Sequence, residues 1–313
     1  MKIAILDDYQ NVATSLADWG SLAAEVVVFT KPFADGDDAV RSLAGFDVLV
    51  AMRERTRFPA EVLERLAGLR LLVSTGPANA AIDVAAARKY GITVCGTGYE
   101  SHPTIEHTWA LILGAARNLP AEAASMRSGG WQVSVGEGLH GKTLGVLGLG
   151  RVGSEVARVG QAFGMSTIAW SQNLIPETAA GHGVRAVTKQ QLFTESDVLS
   201  IHVVLSKRTR GLVTAAELRS MKPSAVLVNT SRGPVVDEAA LVDVLRAGRI
   251  RGAAIDVFDT EPLPVDHPLR SLPNALLTGH VGYVTRDLYT IFYRGAVEDI
   301  AAFQAGSPIR LME

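Results

Sequence analysis

Arg232, Glu261 and His280 are the residues whose types and placement suggest chemistry. Each follows a strand-like apolar run: Arg232 lies in VNTSRGP (228–234), Glu261 in DVFDTEP (256–262) and His280 in LTGHVG (277–282). Arginine is a fixed cation that clamps a carboxylate bidentately and polarises a carbonyl beside it. Histidine titrates near neutrality and gives or takes a hydroxyl proton. A carboxylate next to it holds its tautomer and favours its charged form. Taken singly, each reads better as a loop residue making a local cap. Three successive strand ends, however, deliver all three to one crevice, where they predict proton transfer beside a bound acid.

A second group of residues lies upstream. Gly148, Gly150 and Gly153 form G-x-G-x-x-G directly after the apolar run Leu144–Leu147. They open a segment with apolar residues at Val152, Val156, Val159 and Phe163, a helical spacing. Gly148 makes the tight turn, Gly150 admits a pyrophosphate to the backbone, and Gly153 lets helix and strand pack closely. Arg151 and Val152 then head a helix whose unpaired N–H groups face the phosphates. The unit predicts a dinucleotide as cofactor. An NAD-specific site carries an aspartate for the ribose 2′-hydroxyl at the end of the next strand. Ser171 stands there, followed by Gln172 and Asn173, with no arginine directly after. Serine removes the carboxylate that repels a 2′-phosphate, so NADP(H) is expected to be accepted or preferred, with NAD(H) still usable.

The elements that must position these residues alternate strand and helix. Strands are expected at 2–6, 25–29, 47–51, 70–74 and 92–95, with helices at 37–43, 59–66 and 82–90 between them. This predicts a flavodoxin-like parallel sheet. Residues 96–103, rich in glycine and polar side chains, read as a hinge into one long helix over 104–118. That helix is apolar on most of its circumference and must be buried between domains or in a dimer. Residues 129–140 read as an irregular exposed arm. Strands at 198–202, 225–229, 252–258 and 275–278, with helices at 214–220 and 238–247, extend the glycine-rich unit into a doubly wound Rossmann sheet. The helical tail 288–303 is expected to pack back onto the first domain. The fold class is therefore α/β with two domains: a discontinuous substrate domain, 1–98 plus 284–313, and a nucleotide-binding domain, 99–283.

Composition narrows the field. At 313 residues and 48% hydrophobic content the chain fills two cores, and a formal charge of −2 leaves no basic footprint for nucleic acid. No apolar run approaches the ~18 residues of a membrane span. The N-terminus turns acidic at Asp7 and Asp8, unlike a signal peptide. Cys95 is the sole cysteine, which excludes an internal disulfide and fits a reducing, cytoplasmic setting. It reads as a small buried hydrophobe rather than a nucleophile. His102, His140, His182, His202 and His267 have no partner pattern, and no metal-ligand spacing occurs.

Four ordered blocks, GLGRVG (148–153), VNTSRGPVVD (228–237), AIDVFDTEPL (254–263) and GHVG (279–282), make nearly the whole chain resemble the D-isomer-specific 2-hydroxyacid dehydrogenase family. The resemblance implies Arg232 for substrate binding and polarisation, His280 as general acid/base and Glu261 as its partner. It places Ser231 and Asp256 near the nicotinamide carboxamide, and adds Thr104, Val204, Thr209, Thr230, His280 and Gly282 to the cofactor contacts. It makes the loop STGPAN (74–79), with Thr75, Gly76 and Pro77, the substrate-carboxylate site, through backbone N–H groups facing the cleft. Arg53 is a further candidate for the substrate pocket. Glu106 and His107 receive packing and hinge roles. The chain departs from the family at Ala78, where a second glycine is usual, and at Gly279, where proline often precedes the histidine. The implied activity is NAD(P)-dependent reduction of a small 2-oxo acid to a D-2-hydroxy acid, by a homodimer formed through the 104–118 helix. The alternative is a nucleotide-sensing corepressor on the same fold. A formate-dehydrogenase-like activity pairs its histidine with glutamine, against which Glu261 argues.

Overall fold

The computed structural model describes residues Met1–Glu313. The chain divides into two compact units, Met1–Glu100 with Val284–Glu313, and Ser101–Tyr283.

In the first unit, β1 (Lys2–Ile5), β2 (Glu25–Val28), β3 (Val48–Ala51), β4 (Leu71–Ser74) and β5 (Thr93–Gly96) form one sheet in the order β2-β1-β3-β4-β5. Every pairing is parallel. A parallel sheet is covered on both faces, so its strands read as continuous apolar runs. VLVA in β3 and LLVS in β4 are buried at every position. The helices Gly36–Leu43 and Val84–Lys89 start on Asp35 and Asp83, whose carboxylates accept the N–H groups of Asp38 and Ala86. The helix Arg286–Gln304 completes this unit and buries Tyr289, Phe292 and Tyr293; Trp19 meets Tyr293 edge-on at 6.2 Å. The order is flavodoxin-like.

The second unit holds β6 (Thr143–Leu147), β7 (Ser166–Trp170), β8 (Arg185–Ala186), β9 (Val198–Ile201), β10 (Val226–Asn229), β11 (Gly252–Ile255) and β12 (Ala275–Leu277). They form a second all-parallel sheet in the order β12-β11-β10-β9-β6-β7-β8. From β6 the chain winds outward to β7 and β8, then returns to β9 on the other side of β6. That reversal is a topological switch point, where open α/β sheets leave a crevice at the carboxyl strand ends.

Some local features complete or refine the expected elements. The long helix expected over 104–118 runs from His102 to Ala116, and a left-handed Asn118 (φ 51°) then turns the chain into a second helix, Leu119–Arg127, that was not assigned from sequence. The apolar circumference of the first is used inside its own unit. Ile105, Trp109, Leu111, Ile112 and Ala116 join a core with Leu144, Val146, Val156, Val228 and Ala254. The segment 173–197, unassigned from sequence, forms the helix Pro176–Gly181, β8 and the helix Lys189–Glu195, the last closed by a capping box between Thr188 and Gln191. Cys95 is fully buried, and burial pushes its thiol up to about 11.

Candidate active site

The dinucleotide-binding turn forms where the topology requires it. Gly148 has φ +100°, and a Cβ there would meet the His202 carbonyl oxygen at 2.8 Å. The end of β6 thus crosses the end of β9 in contact, at the switch point. A Cβ on Gly153 would lie 2.0 Å from the Gly148 carbonyl oxygen, so only glycine lets the helix Arg151–Ala162 start against that turn. At Gly150 an added Cβ meets nothing within 4 Å. Gly150 is also the N-cap, with no side chain capping the helix. The first-turn N–H groups at Arg151, Val152 and Gly153 therefore face an open approach, which fits a pyrophosphate. Ser171 is half-buried and Gln172 exposed directly after β7, with no carboxylate at either position. After β9, Val204 is 84% exposed, and the hydroxyl of Thr209 donates to the Val204 carbonyl at 2.6 Å and accepts the Ser206 N–H at 2.8 Å. His202 keeps its ring within the same strand end, 2.8 Å from the Ser200 hydroxyl.

Glu261 and His280 meet. Glu261 Oε2 lies 2.6 Å from His280 Nδ1, and Oε1 accepts the Phe258 N–H at 2.9 Å. A carboxylate only accepts, so Nδ1 carries the hydrogen and Nε2 is left to exchange a proton. The backbone of His280 is left-handed (φ 55°), an uncommon conformation for a non-glycine residue. Asp256 holds it there. The His280 N–H donates to the Asp256 carbonyl at 2.7 Å, and the N–H groups of Val281 and Gly282 donate to the Asp256 carboxylate, each at 2.9 Å. The Thr278 hydroxyl adds a bond of 2.5 Å, and His107 Nε2 lies 3.3 Å from the same carboxylate. Asp256 is 1% exposed; burial pushes its pKa up, but the donors from His107, Thr278 and Val281 outweigh burial and hold it below the usual carboxylate range. A Cβ on Gly282 would meet Asp256 Oδ2 at 3.1 Å and Thr104 Cγ2 at 3.9 Å, so Thr104 borders the same cluster.

Backbone packing brings Arg232 beside this pair. A Cβ on Gly233 would lie 2.1 Å from the Phe258 carbonyl carbon. The Arg232–Gly233 turn is therefore pressed onto the segment whose N–H fixes Glu261. Asn229, 1% exposed, shapes the turn: its side chain accepts the Ser231 N–H at 3.0 Å and donates to the Arg232 carbonyl at 3.0 Å. Arg232 itself donates to the Ser231 carbonyl at 2.8 Å, Ser231 donates its hydroxyl to the Val203 carbonyl, and Thr230 shares a 2.8 Å hydrogen bond with Thr108.

In the first unit, the loop after β4 commits its first N–H groups to the chain itself. The Thr75 N–H donates to the Ala51 carbonyl at 3.0 Å, and the Gly76 N–H donates to the Thr97 hydroxyl at 2.8 Å. Pro77 has no N–H. None of the three can offer a backbone donor to an anion; the next N–H groups, of Ala78 and Asn79, are the ones without a partner in the chain. Arg53 braces this loop from behind. Its guanidinium donates to the Thr75 carbonyl at 2.8 Å, its backbone is left-handed (φ 49°), and it lies 5.4 Å over the Tyr99 ring. It is a cross-strand tie rather than a solvated cation.

Asn229 carries no role in the sequence reading, which gives His107 packing and hinge roles but no contact with Asp256. Spacing carries their signal: an Asx residue two before Ser231, and a buried strand-end aspartate that needs donors to neutralise it. No His, Cys, Asp or Glu cluster of three or more is placed to hold a metal ion, and no helix is long and apolar enough to cross a membrane.

This arrangement has known relatives. Residues 109–282 match the family model for the NAD-binding domain of D-isomer specific 2-hydroxyacid dehydrogenases. The glyoxylate reductase of Aeropyrum pernix is 40% identical over 260 residues, covering 80% of this chain and 78% of that protein. The chain belongs to the D-isomer specific 2-hydroxyacid dehydrogenase family. The D-3-phosphoglycerate dehydrogenase of Archaeoglobus fulgidus is 34% identical over 313 residues, which are 99% of this chain but 58% of that protein; the chain spans little more than half the length of this relative. Among solved structures, a phosphoglycerate oxidoreductase from Vibrio cholerae superposes with a TM-score of 0.94 at 38% identity, covering 98% of this chain and all of the other.

Proposed function

We propose that the protein is an NAD(P)-dependent D-2-hydroxyacid dehydrogenase acting as a reductase of a small 2-oxo acid, with His280 as its general acid. The observation that carries this reading is the Glu261–His280 pair at 2.6 Å, whose carboxylate has its other oxygen fixed by the Phe258 N–H. The dinucleotide, bound at the Gly148–Gly153 turn, supplies the hydride that reaches the keto carbon. His280 Nε2 delivers the proton to the carbonyl oxygen, and Glu261 stabilises the imidazolium before that transfer. Arg232 clamps the acid and polarises its carbonyl. In the first unit the Ala78 and Asn79 N–H groups are donors for a carboxylate, in a loop shaped by Thr75, Gly76, Pro77 and Arg53. Asp256, Thr104, Thr230, Ser231 and Gly282 line the nicotinamide end, and Val204 and Thr209 the strand end next to it. Ser171 and Gln172 accept NADP(H) as well as NAD(H).

We further propose a homodimer, to which the exposed surface following the expected helix contributes. The helix Leu119–Arg127 buries none of its residues, and beside it Leu119, Met126, Trp131, Val133 and Val135 are 53–92% exposed. A patch of this kind marks an interaction site, and a second copy is its occupant. Sedimentation of a dimer that Trp131→Glu converts to monomer supports this; a monomeric parent refutes it.

The decisive experiment is cofactor oxidation at 340 nm, with NADH and NADPH run separately against glyoxylate, hydroxypyruvate, pyruvate and phenylpyruvate. Turnover supports the reductase. Tight cofactor binding with no turnover on any acid overturns it in favour of a nucleotide sensor.

A further inference from the structure

The segment Ser307–Glu313 is outside every role assigned so far, yet it is held by more directed contacts than its exposed position requires. After the helix Arg286–Gln304 the chain reverses at Gly306 and runs antiparallel beside β5. The Gly96 N–H donates to the Arg310 carbonyl and the Met312 N–H to the Val94 carbonyl, both at 2.9 Å. Arg310 locks this added edge to the helix with its whole guanidinium. Nε donates to Asp299 at 2.9 Å, one terminal nitrogen to Glu298 at 2.9 Å, and the other to the Gly295 carbonyl at 2.8 Å. Asp299 is fully buried, and its second oxygen has no hydrogen-bond partner. Such a carboxylate is costly unless its one cation stays in place.

What this edge presses against is the anion loop. A Cβ on Gly96 would meet the Gly76 carbonyl oxygen at 2.7 Å, Pro77 Cα at 3.2 Å and Met312 Sδ at 3.4 Å. Gly96 is thus sandwiched between the strap and the loop. The next residue, Thr97, takes the Gly76 N–H on its hydroxyl and packs 3.0 Å from where a Gly295 Cβ would lie. The helix residue that accepts from Arg310 therefore also abuts the threonine that fixes the loop.

We propose that Arg310 is a positioning residue for substrate: through the strap Ser307–Glu313 it sets the backbone of the Gly76–Asn79 loop, and hence the placement of its free N–H donors. This rests on reading that loop as the site of the substrate carboxylate. A strap of this kind acts on binding of the acid, and leaves the proton-transfer pair and the dinucleotide turn untouched.

The test compares Arg310→Met, Arg310→Lys and Met312→Ala with the parent in the full chain. Coupling through residues outside a site typically changes affinity by roughly two- to thirtyfold. The KM for the acid turned over by the parent should rise by an amount in that range in Arg310→Met, with kcat and the NADH Kd within about twofold. Arg310→Lys should recover part of the loss. Met312→Ala carries no charge change and folds even if Arg310→Met does not; it should raise KM in the same direction. Hydrogen exchange of the Ala78 and Asn79 amides should accelerate in each variant while amides of β1 and β3 stay protected. A lowered Tm with KM and local exchange unchanged would overturn the proposal, leaving the strap as a brace only. If the parent turns over no acid, the reductase reading fails separately. Exchange at Ala78 and Asn79 then decides alone whether the strap controls the loop.

Discussion

Replacing Glu261 with glutamine probes the proton-transfer pair through its geometry. In the parent, Oε1 receives the Phe258 N–H and Oε2 receives the His280 Nδ1–H. The amide of a glutamine has one acceptor and one donor, and the Phe258 N–H claims the acceptor. Its NH2 group is then turned toward His280 Nδ1, which must accept rather than donate. The ring is driven to its neutral form with hydrogen on Nε2, the wrong state to give a proton in reduction and to take one in oxidation. A hydrogen bond to a charged group contributes roughly 1.5–3 kcal/mol, and opposing it with a donor adds about 1 kcal/mol more. The sum, about 2.5–4 kcal/mol, corresponds to a fall in kcat of roughly 70- to 900-fold, within the range general acid catalysis supplies. Both side chains are partly exposed, at 22% and 32%, which favours the lower end. The assay is steady-state kcat at 340 nm beside an NADH fluorescence titration. The NADH Kd should hold within about twofold, because the dinucleotide turn lies on other strand ends. A kcat within threefold of the parent would refute the assignment, as would a loss wholly explained by weaker NADH binding.

Three further outcomes follow from the structure. Gly153→Ala sets a methyl 2.0 Å from the Gly148 carbonyl oxygen; overpacking of this kind costs about 1–3 kcal/mol, so Tm and NADH affinity should fall together, and an unchanged affinity would show that the turn is not the phosphate site. Ser171→Asp restores a carboxylate at the 2′ position, and the ratio of kcat/KM for NADH to that for NADPH should rise by roughly tenfold or more; an unchanged ratio would place cofactor choice elsewhere. Asp299, raised by burial from 3.8 to about 6, binds its proton more tightly in the folded chain than in the unfolded one. Its contribution to stability is therefore full below pH 3.8 and is lost as pH rises through 6, a change of about 3 kcal/mol at 1.4 kcal/mol per tenfold. Urea unfolding should show Asp299→Asn gaining on the parent by about that amount between pH 4 and pH 7.5, and a pH-independent difference would refute the burial argument.

Much of this protein is determined by its sequence alone, and the reason is local. Strand runs such as VLVA at Val48–Ala51, alternating with helical segments, specify a parallel sheet because only buried strands tolerate them. Gly148, Gly150 and Gly153 identify the dinucleotide turn because their spacing matches one backbone path. Arg232, Glu261 and His280 are legible because each follows a strand, and parallel strands put their ends on one edge. What tertiary structure decided depends on partners far along the chain. The helix Leu119–Arg127 shows no burial, so no periodic signal announces it. The apolar helix before it packs into the core of its own unit against β10 and β11. Which N–H groups of the 74–79 loop stay free was set by packing, because Ala51 and Thr97 take those of Thr75 and Gly76. The left-handed His280, held by an aspartate 24 positions earlier and backed by His107 from another helix, is likewise invisible in sequence. Patterns of neighbouring residues encode elements and their ends; which donor meets which acceptor is settled only when distant segments pack.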